Sequence, residues 1–150
     1  MESHVISYLE SQRRGAQWEL FLRSLAVSLQ NWAPSDTLRK LMRDAGVHTG
    51  QDLVLPTCET LIDLEAAANE HWTRMGWGFV KIQEQHDCIS ITHDYAPLEA
   101  VFGREAMEWV GSFLEGIYQQ WFVFLGAGDG LQVQQVGVSD TGALSYKFGR

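Results

Sequence analysis

The chain has 150 residues, 45% of them hydrophobic and 20% charged, with a formal net charge of −8. These proportions fit one folded domain with a sizeable core and exclude a disordered chain. The acidic balance, with no basic cluster larger than Arg13, Arg14 and Arg23, excludes a phosphate-backbone partner, and the lack of a long apolar run excludes a membrane span.

Residues 1–15 read as a polar leader in which Val5, Ile6, Tyr8 and Leu9 are scattered, closed by Gly15. Such a segment suits an arm that orders on a partner, set apart from a single domain over residues 16–150. The leader has neither a basic start nor a continuous apolar stretch, so no secretory signal is read and the expected compartment is the cytoplasm.

From Ala16 to about Trp32, apolar Trp18, Phe21, Leu22, Leu25, Leu29 and Trp32 recur at helical spacing, which predicts an amphipathic helix with one broad buried face. Pro34 stops it. Ser35 or Asp36 then caps a second helix, with Leu38, Leu41, Met42 and Ala45 inward and Gly46 as its C-terminal glycine. After a loop through Gly50 to Pro56, Thr57 caps a third helix carrying Leu61, Leu64, Ala68, Trp72 and Met75, ended by Gly76.

The period then changes to two. Trp77, Phe79 and Lys81 alternate with Gly78, Val80 and Ile82, which predicts a strand. A polar turn over 83–87 and a second strand over 88–92 complete an antiparallel hairpin. Pro97 and Gly103 bracket a short turn before a long fourth helix, about Glu105 to Leu125, with Val110, Leu114, Ile117, Tyr118, Trp121 and Leu125 on one face. Two closing strands, 131–138 and 143–148, meet through Ser139 to Gly142. The order ααα-ββ-α-ββ predicts an α+β domain, with amphipathic helices packed on a small antiparallel sheet.

No catalytic or metal-binding motif emerges. The histidines have no ligand spacing, and His86 and His93, beside Asp87 and Asp94, read as solvated hairpin ends. Gly126 to Gly130 follows a helix instead of opening one, so it reads as a turn and not a phosphate loop. Cys58 and Cys88 are far apart and read as small buried side chains. Among the carboxylates, Asp63 with Glu65 and Glu105 with Glu108 are expected on solvated helix faces. Glu115 alone is embedded in an apolar segment, where it reads as a hydrogen-bonded or capping carboxylate that braces Tyr118 or a neighbouring subunit; a role in glucan hydrolysis is the weaker alternative. Of the six tryptophans, Trp18, Trp32, Trp72 and Trp121 are assigned to the core, leaving Trp77 and Trp109 for an interface or ligand surface. The expectation is no enzyme, cofactor or metal.

Two segments carry more. Gly76-Trp77-Gly78-Phe79-Val80-Lys81-Ile82 follows a Leu-rich helix, and Leu114-Glu115-Gly116-Ile117-Tyr118-Gln119-Gln120-Trp121 comes later. In that order they resemble the Asn-Trp-Gly-Tyr-Val-Lys-Leu-type and Leu-Glu-Gly-Leu-Tyr-x-x-Trp segments of the bacterial cellulose synthase operon protein D family, with Met75 standing where the family has Asn. The likeness extends from about Phe21 to Trp121. It implies a non-catalytic accessory protein that forms a homo-octamer, a tetramer of dimers closed into a ring or cylinder. It further implies passages that guide β-1,4-glucan chains, contact with cellulose synthase subunits, and a scaffold built with a proline-rich partner to align synthase complexes. The periplasm is the compartment the family suggests as an alternative.

On this reading the leader residues Val5, Ile6, Tyr8, Leu9, Arg13 and Arg14 face glucan or a partner. Trp77, Trp109, Phe113, Tyr118, Phe122 and Phe124 form the oligomer interface, because the long helix is apolar beyond one stripe. The alternative is a small-molecule or lipid-binding module whose pocket lies between sheet and long helix, with Trp77 and Tyr118 at its mouth.

Overall fold

The computed structural model describes residues 4–5 and 15–150. Helix α1 (Ala16–Trp32) starts where Gly15, in a left-handed conformation, turns its carbonyl toward the amides of Trp18 and Glu19. Pro34 makes the corner into α2 (Ser35–Asp52), which needs no side-chain cap because proline already fixes an extended approach. The third helix, α3 (Leu61–Met75), begins later than Thr57 would place it: Thr60 accepts from the Asp63 amide and Asp63 accepts from the Thr60 amide, a reciprocal cap. Gly76, at φ 71°, closes it as the sequence suggests.

Strands β1 (Phe79–Glu84) and β2 (Ile89–Asp94) form the expected hairpin, paired from Phe79 with Asp94 to Glu84 with Ile89. After short α4 (Leu98–Phe102) and a 3-10 turn at Arg104–Glu108 comes α5 (Ser112–Phe124). The single long helix expected from Glu105 is therefore two pieces. Trp109 and Phe113 bond three residues back, to Ala106 and Val110, which tightens the turn. Meanwhile the Gly111 carbonyl takes the buried hydroxyl of Tyr146 at 2.7 Å. Strands β3 (Gln132–Val138) and β4 (Leu144–Gly149) complete a sheet of order β1-β2-β4-β3, antiparallel throughout. The α+β class and element order are as expected.

The inner face of the sheet, with Val80, Ile82, Ile91, Val133, Leu144, Tyr146 and Phe148, packs on helices that contribute Leu64, Trp72, Leu114, Ile117, Tyr118 and Trp121. Helices α2 and α5 cross at backbone contact. Gly46 does not end α2; it lies buried within the helix, one turn before buried Gly50. A Cβ on Gly46 would stand 1.9 Å from the Phe113 carbonyl oxygen, and one on Gly116 would stand 2.1 Å from that of Arg43. The glycines let two backbones touch, and no other residue leaves that room.

One expectation fails on α1. Only Ala26 is buried there, with Leu22 and Leu29 half-buried beside it. Trp18, Phe21, Leu25 and Trp32, expected in the core, are exposed at 62%, 55%, 39% and 73%. At about 100° per residue these four share one stripe, flanking the Leu22–Ala26–Leu29 stripe that meets the domain. The helix is apolar over a wider arc than its own chain covers.

Candidate functional surface

The α1 stripe is held in place from beneath. Arg23 donates to the Ala100 carbonyl, and the Gln30 side-chain oxygen, in the amide orientation that satisfies both groups, accepts from the Trp109 indole at 3.2 Å. Trp18 and Phe21 stand edge to face with ring centres 6.0 Å apart. Beneath α1 runs an apolar groove of about 790 Å³, lined by Trp18, Leu22, Met42, Met75, Trp77 and Phe113. The space required between sheet and α5 for the alternative binding module is instead filled, and Tyr118 is fully buried.

The expected interface residues separate. Trp109, Tyr118 and Phe122 are enclosed in the chain's own core, Phe122 stacked on Phe148 with ring centres 4.0 Å apart, so they offer no surface. Trp77 and Phe113 are half-buried against each other at 5.7 Å, and Phe124 is exposed. Of the leader residues, Val5 is exposed in a helical segment with His4; Ile6, Tyr8, Leu9, Arg13 and Arg14 lie outside the described residues. Among the described residues no three His, Cys, Asp or Glu side chains cluster as a metal site, and no helix is long and apolar enough to cross a membrane.

His93 is not a solvated hairpin end. Its ring is fully buried, with Nε2 2.7 Å from the Trp77 carbonyl and Nδ1 2.5 Å from the Tyr118 hydroxyl. A carbonyl can only accept, so Nε2 carries the proton and Nδ1 accepts from Tyr118. Burial pushes the His93 pKa down to about 4, against the opposing pulls of the Trp77 carbonyl and Asp94. Burial likewise pushes the Tyr118 and Tyr146 hydroxyls well above the usual tyrosine range, so both stay neutral donors. The group ties the two segments that carry the family resemblance to one point, joining Trp77 of the first with Tyr118 of the second.

Glu115 is hydrogen-bonded, as its apolar setting suggests, but it braces Arg43 and β3 and not Tyr118. It forms an ion pair with Arg43, and its second oxygen accepts from the Gln135 amide at 2.8 Å. One turn on, Gln119 accepts from the Val133 amide at 2.7 Å and donates to the Leu131 carbonyl at 3.3 Å. Arg43 adds a bond to the Val133 carbonyl at 3.0 Å. Together these side chains occupy the outer edge of β3. The outer edge of β1 is treated the same way by α3. Asn69 exchanges two bonds with Val80, at 2.7 and 2.9 Å, and Glu65 accepts from the Ile82 amide at 2.7 Å. Each helix sets a pair of polar side chains one turn apart against an edge strand, in place of a fifth strand. Glu65, expected on a solvated helix face, is instead taken up by the Ile82 amide, and Asn69, Arg43 and Gln119 escaped sequence reading. The available signal was a polar pair four apart on an otherwise apolar helix.

A four-stranded antiparallel sheet with helix-braced edges and a buried histidine–tyrosine joint, presenting an apolar helix outward, defines an α+β domain with an exposed apolar helix face. The chain belongs to the cellulose synthase D-subunit family, which matches residues 4–149. It is similar to cellulose synthase operon protein D of Komagataeibacter xylinus, 26% identical over 104 residues, covering 68% of this chain and 67% of that protein. The protein of the same name from Komagataeibacter sucrofermentans is 26% identical over 106 residues, 69% of this chain and 68% of its own. Membership carries involvement in cellulose synthesis, in association with the synthase complex, and the relatives are named for an operon and not for a reaction.

Proposed function

We propose that this chain is a non-catalytic accessory subunit of bacterial cellulose synthesis, which joins copies of itself through the open stripe of α1. The supporting observation is that Trp18, Phe21, Leu25 and Trp32 are exposed along one flank of a helix whose other flank is anchored. A contiguous aromatic patch of this kind marks an association surface. Phe124, exposed at 60%, widens the apolar surface available for contact.

In its full form the proposal is a closed homo-octamer, four dimers around an axis, in keeping with the closed point-group symmetry of most soluble homo-oligomers. The cylinder guides β-1,4-glucan chains past Val5, Ile6, Tyr8, Leu9, Arg13 and Arg14 of the leader. It docks on the synthase complex and a proline-rich scaffold partner to align synthases and promote crystallisation of the product. The cytoplasm is the compartment of this reading, with the periplasm its alternative. Light scattering coupled to size exclusion tests it. The wild type should run at several times 16.9 kDa. Trp18→Ser with Phe21→Ser and Trp32→Ser should return it to that monomer mass, with an unchanged circular dichroism spectrum. A wild-type monomer at micromolar concentration refutes the proposal.

The groove beneath α1 favours a second reading, an apolar small ligand held between Trp18 and Phe113. Native mass spectrometry of the purified chain, showing a bound lipid-sized mass, distinguishes it.

A further inference from the structure

The braces along β3 stop before its end. Val133 and Gln135 turn their amides outward, to Gln119 and Glu115. Between Gln135 and Gly137 the pairing with β4 slips by one residue, so Val136 is an added residue in a β-bulge. Beyond the bulge, Ser139 points its amide back into the hairpin, to the Ala143 carbonyl at 2.8 Å. Backbone direction alternates along an antiparallel strand. Val138, one residue earlier, therefore turns its N–H and C=O outward, and no described residue bonds them from that side.

The helical layer stops short at the same place. Val138 stands opposite Leu144, which is buried on the helix side of the sheet, and opposite residues share a face. Val138 is nonetheless 42% exposed. A cleft of about 580 Å³ runs along this end of the strand, between Val136 and Val138 on one wall and Arg39 and Lys40 of α2 on the other. Buried Met107 and Ser112 line it as well. Its charges are mostly taken. Arg43 pairs with Glu115, Arg39 with Asp36, and the Glu108 carboxylate accepts from Ser35 at 3.3 Å. Lys40 makes no ion pair among the described residues.

We infer that this cleft takes an extended, proline-free segment of a partner protein, which adds to the open end of β3 and sets one carboxylate against Lys40. The fit follows from the groups left over. Val138 offers one donor and one acceptor, the set that a single residue of an added antiparallel strand satisfies. Side chains of such a strand alternate, so one apolar neighbour enters the cleft over Val138 and Met107 while the next faces water. Lys40 on the opposite wall supplies charge complementarity to an acid. The net charge of −8 is spread over the chain, and salt screens it beyond about 8 Å, so a group inside the cleft meets Lys40 first. A proline at the paired position has no N–H to give, which separates this segment from the proline-rich partner of the proposed function. No residue of α1 lines the cleft, so the surface is separate from the one proposed for self-association.

Fluorescence anisotropy with the full-length chain tests the cleft, with assembly mass followed by light scattering. The probes are fluorescein-labelled hexapeptides of alternating Val and Thr, each with a single Glu at a different position, in about 0.15 M salt. At least one should bind saturably. Replacing its Glu with Gln should weaken binding about fivefold, and a proline scan should find a position that abolishes it. Lys40→Ala should weaken the Glu peptide by the same factor and leave the Gln form unchanged, as coupling between the two groups requires. Val138→Pro removes the outward N–H, which the sheet does not use, so it should abolish binding and keep the thermal midpoint. Lys40→Ala, on an exposed turn of α2, keeps the test decisive even where Val138→Pro lowers that midpoint. The chain carrying Trp18→Ser, Phe21→Ser and Trp32→Ser should bind as the wild type does. Failure of every probe to saturate, or an equal effect of Lys40→Ala on the Glu and Gln peptides, overturns the assignment. So does a fall in assembly mass in Lys40→Ala, which makes the cleft a contact between copies.

Discussion

Mild acid should destabilise this protein through His93. The ring is enclosed, hydrogen-bonded at both nitrogens and held neutral, with its pKa moved from 6.5 to about 4. Between those values the unfolded chain holds a proton that the folded chain does not. Stability is therefore full above about pH 6.5, falls as the pH drops toward 4, and levels off below. The whole gap corresponds to about 3 kcal/mol, and about 2.5 kcal/mol of it is lost by about pH 4.5. The Asp63 carboxyl, held down first by the Glu59 amide, loses its contribution only below its ordinary 3.8, outside this window. Urea unfolding followed by tryptophan fluorescence, at fixed protein concentration, measures the effect in wild type and His93→Gln. Glutamine can donate to Trp77 and accept from Tyr118 without titrating. The wild type should lose about 2.5 kcal/mol more than the variant between about pH 7.5 and pH 4.5. Parallel curves for the two proteins refute the neutral, buried histidine and the hydrogen-bond directions drawn from it.

The remaining predictions concern packing. Gly46→Ala gains about 1 kcal/mol of helix propensity, yet its Cβ would meet the Phe113 backbone at 1.9 Å. The net result should be a loss of about 2 kcal/mol in thermal or urea unfolding, and a raised midpoint contradicts the close crossing. Glu115→Ala strands Arg43 and exposes the Gln135 amide. It should destabilise by about 2 kcal/mol, with amide exchange accelerating first at Gln135; uniform acceleration along β3 would show that the brace is not local.

Local features were legible and tertiary ones were not, for reasons visible in particular residues. The alternation of Val80 and Ile82 against Phe79 and Lys81 fixes a strand because period two has no helical counterpart. Gly76 ends a helix because it takes the left-handed conformation, φ 71°, that closes one. Gly46 bears the same local sign, a glycine after an amphipathic run, and means the opposite, since the carbonyl it accommodates belongs to Phe113, 67 positions on. The stretch from Arg104 to Gly111 keeps helical apolar spacing while breaking its hydrogen bonds, so pattern alone joined it to α5. The tryptophans are most instructive. Trp18 and Trp32 show the same spacing as Trp72 and Trp121, yet the first pair is exposed and the second buried. Periodicity reveals that a face is apolar and is silent on what covers it. The same silence misplaced Trp109, Tyr118 and Phe122 at an interface. The cleft at Val138 was beyond reach because it depends on the bulge at Val136 and on where the helices stop.

The braced sheet edges bear on how copies of this chain can add together. A bare edge strand is a template on which another strand can grow without limit. Here Glu65 with Asn69 and Glu115 with Gln119 already occupy backbone groups over 80–82 and 133–135. Templated polymerisation of the protein is blocked at those positions, which leaves side-chain faces as the means of joining. Isologous faces close into counted assemblies, whereas bare edges template fibres. A protein belonging to a family concerned with making one fibrous polymer thus carries, in two helical turns, a device against becoming another.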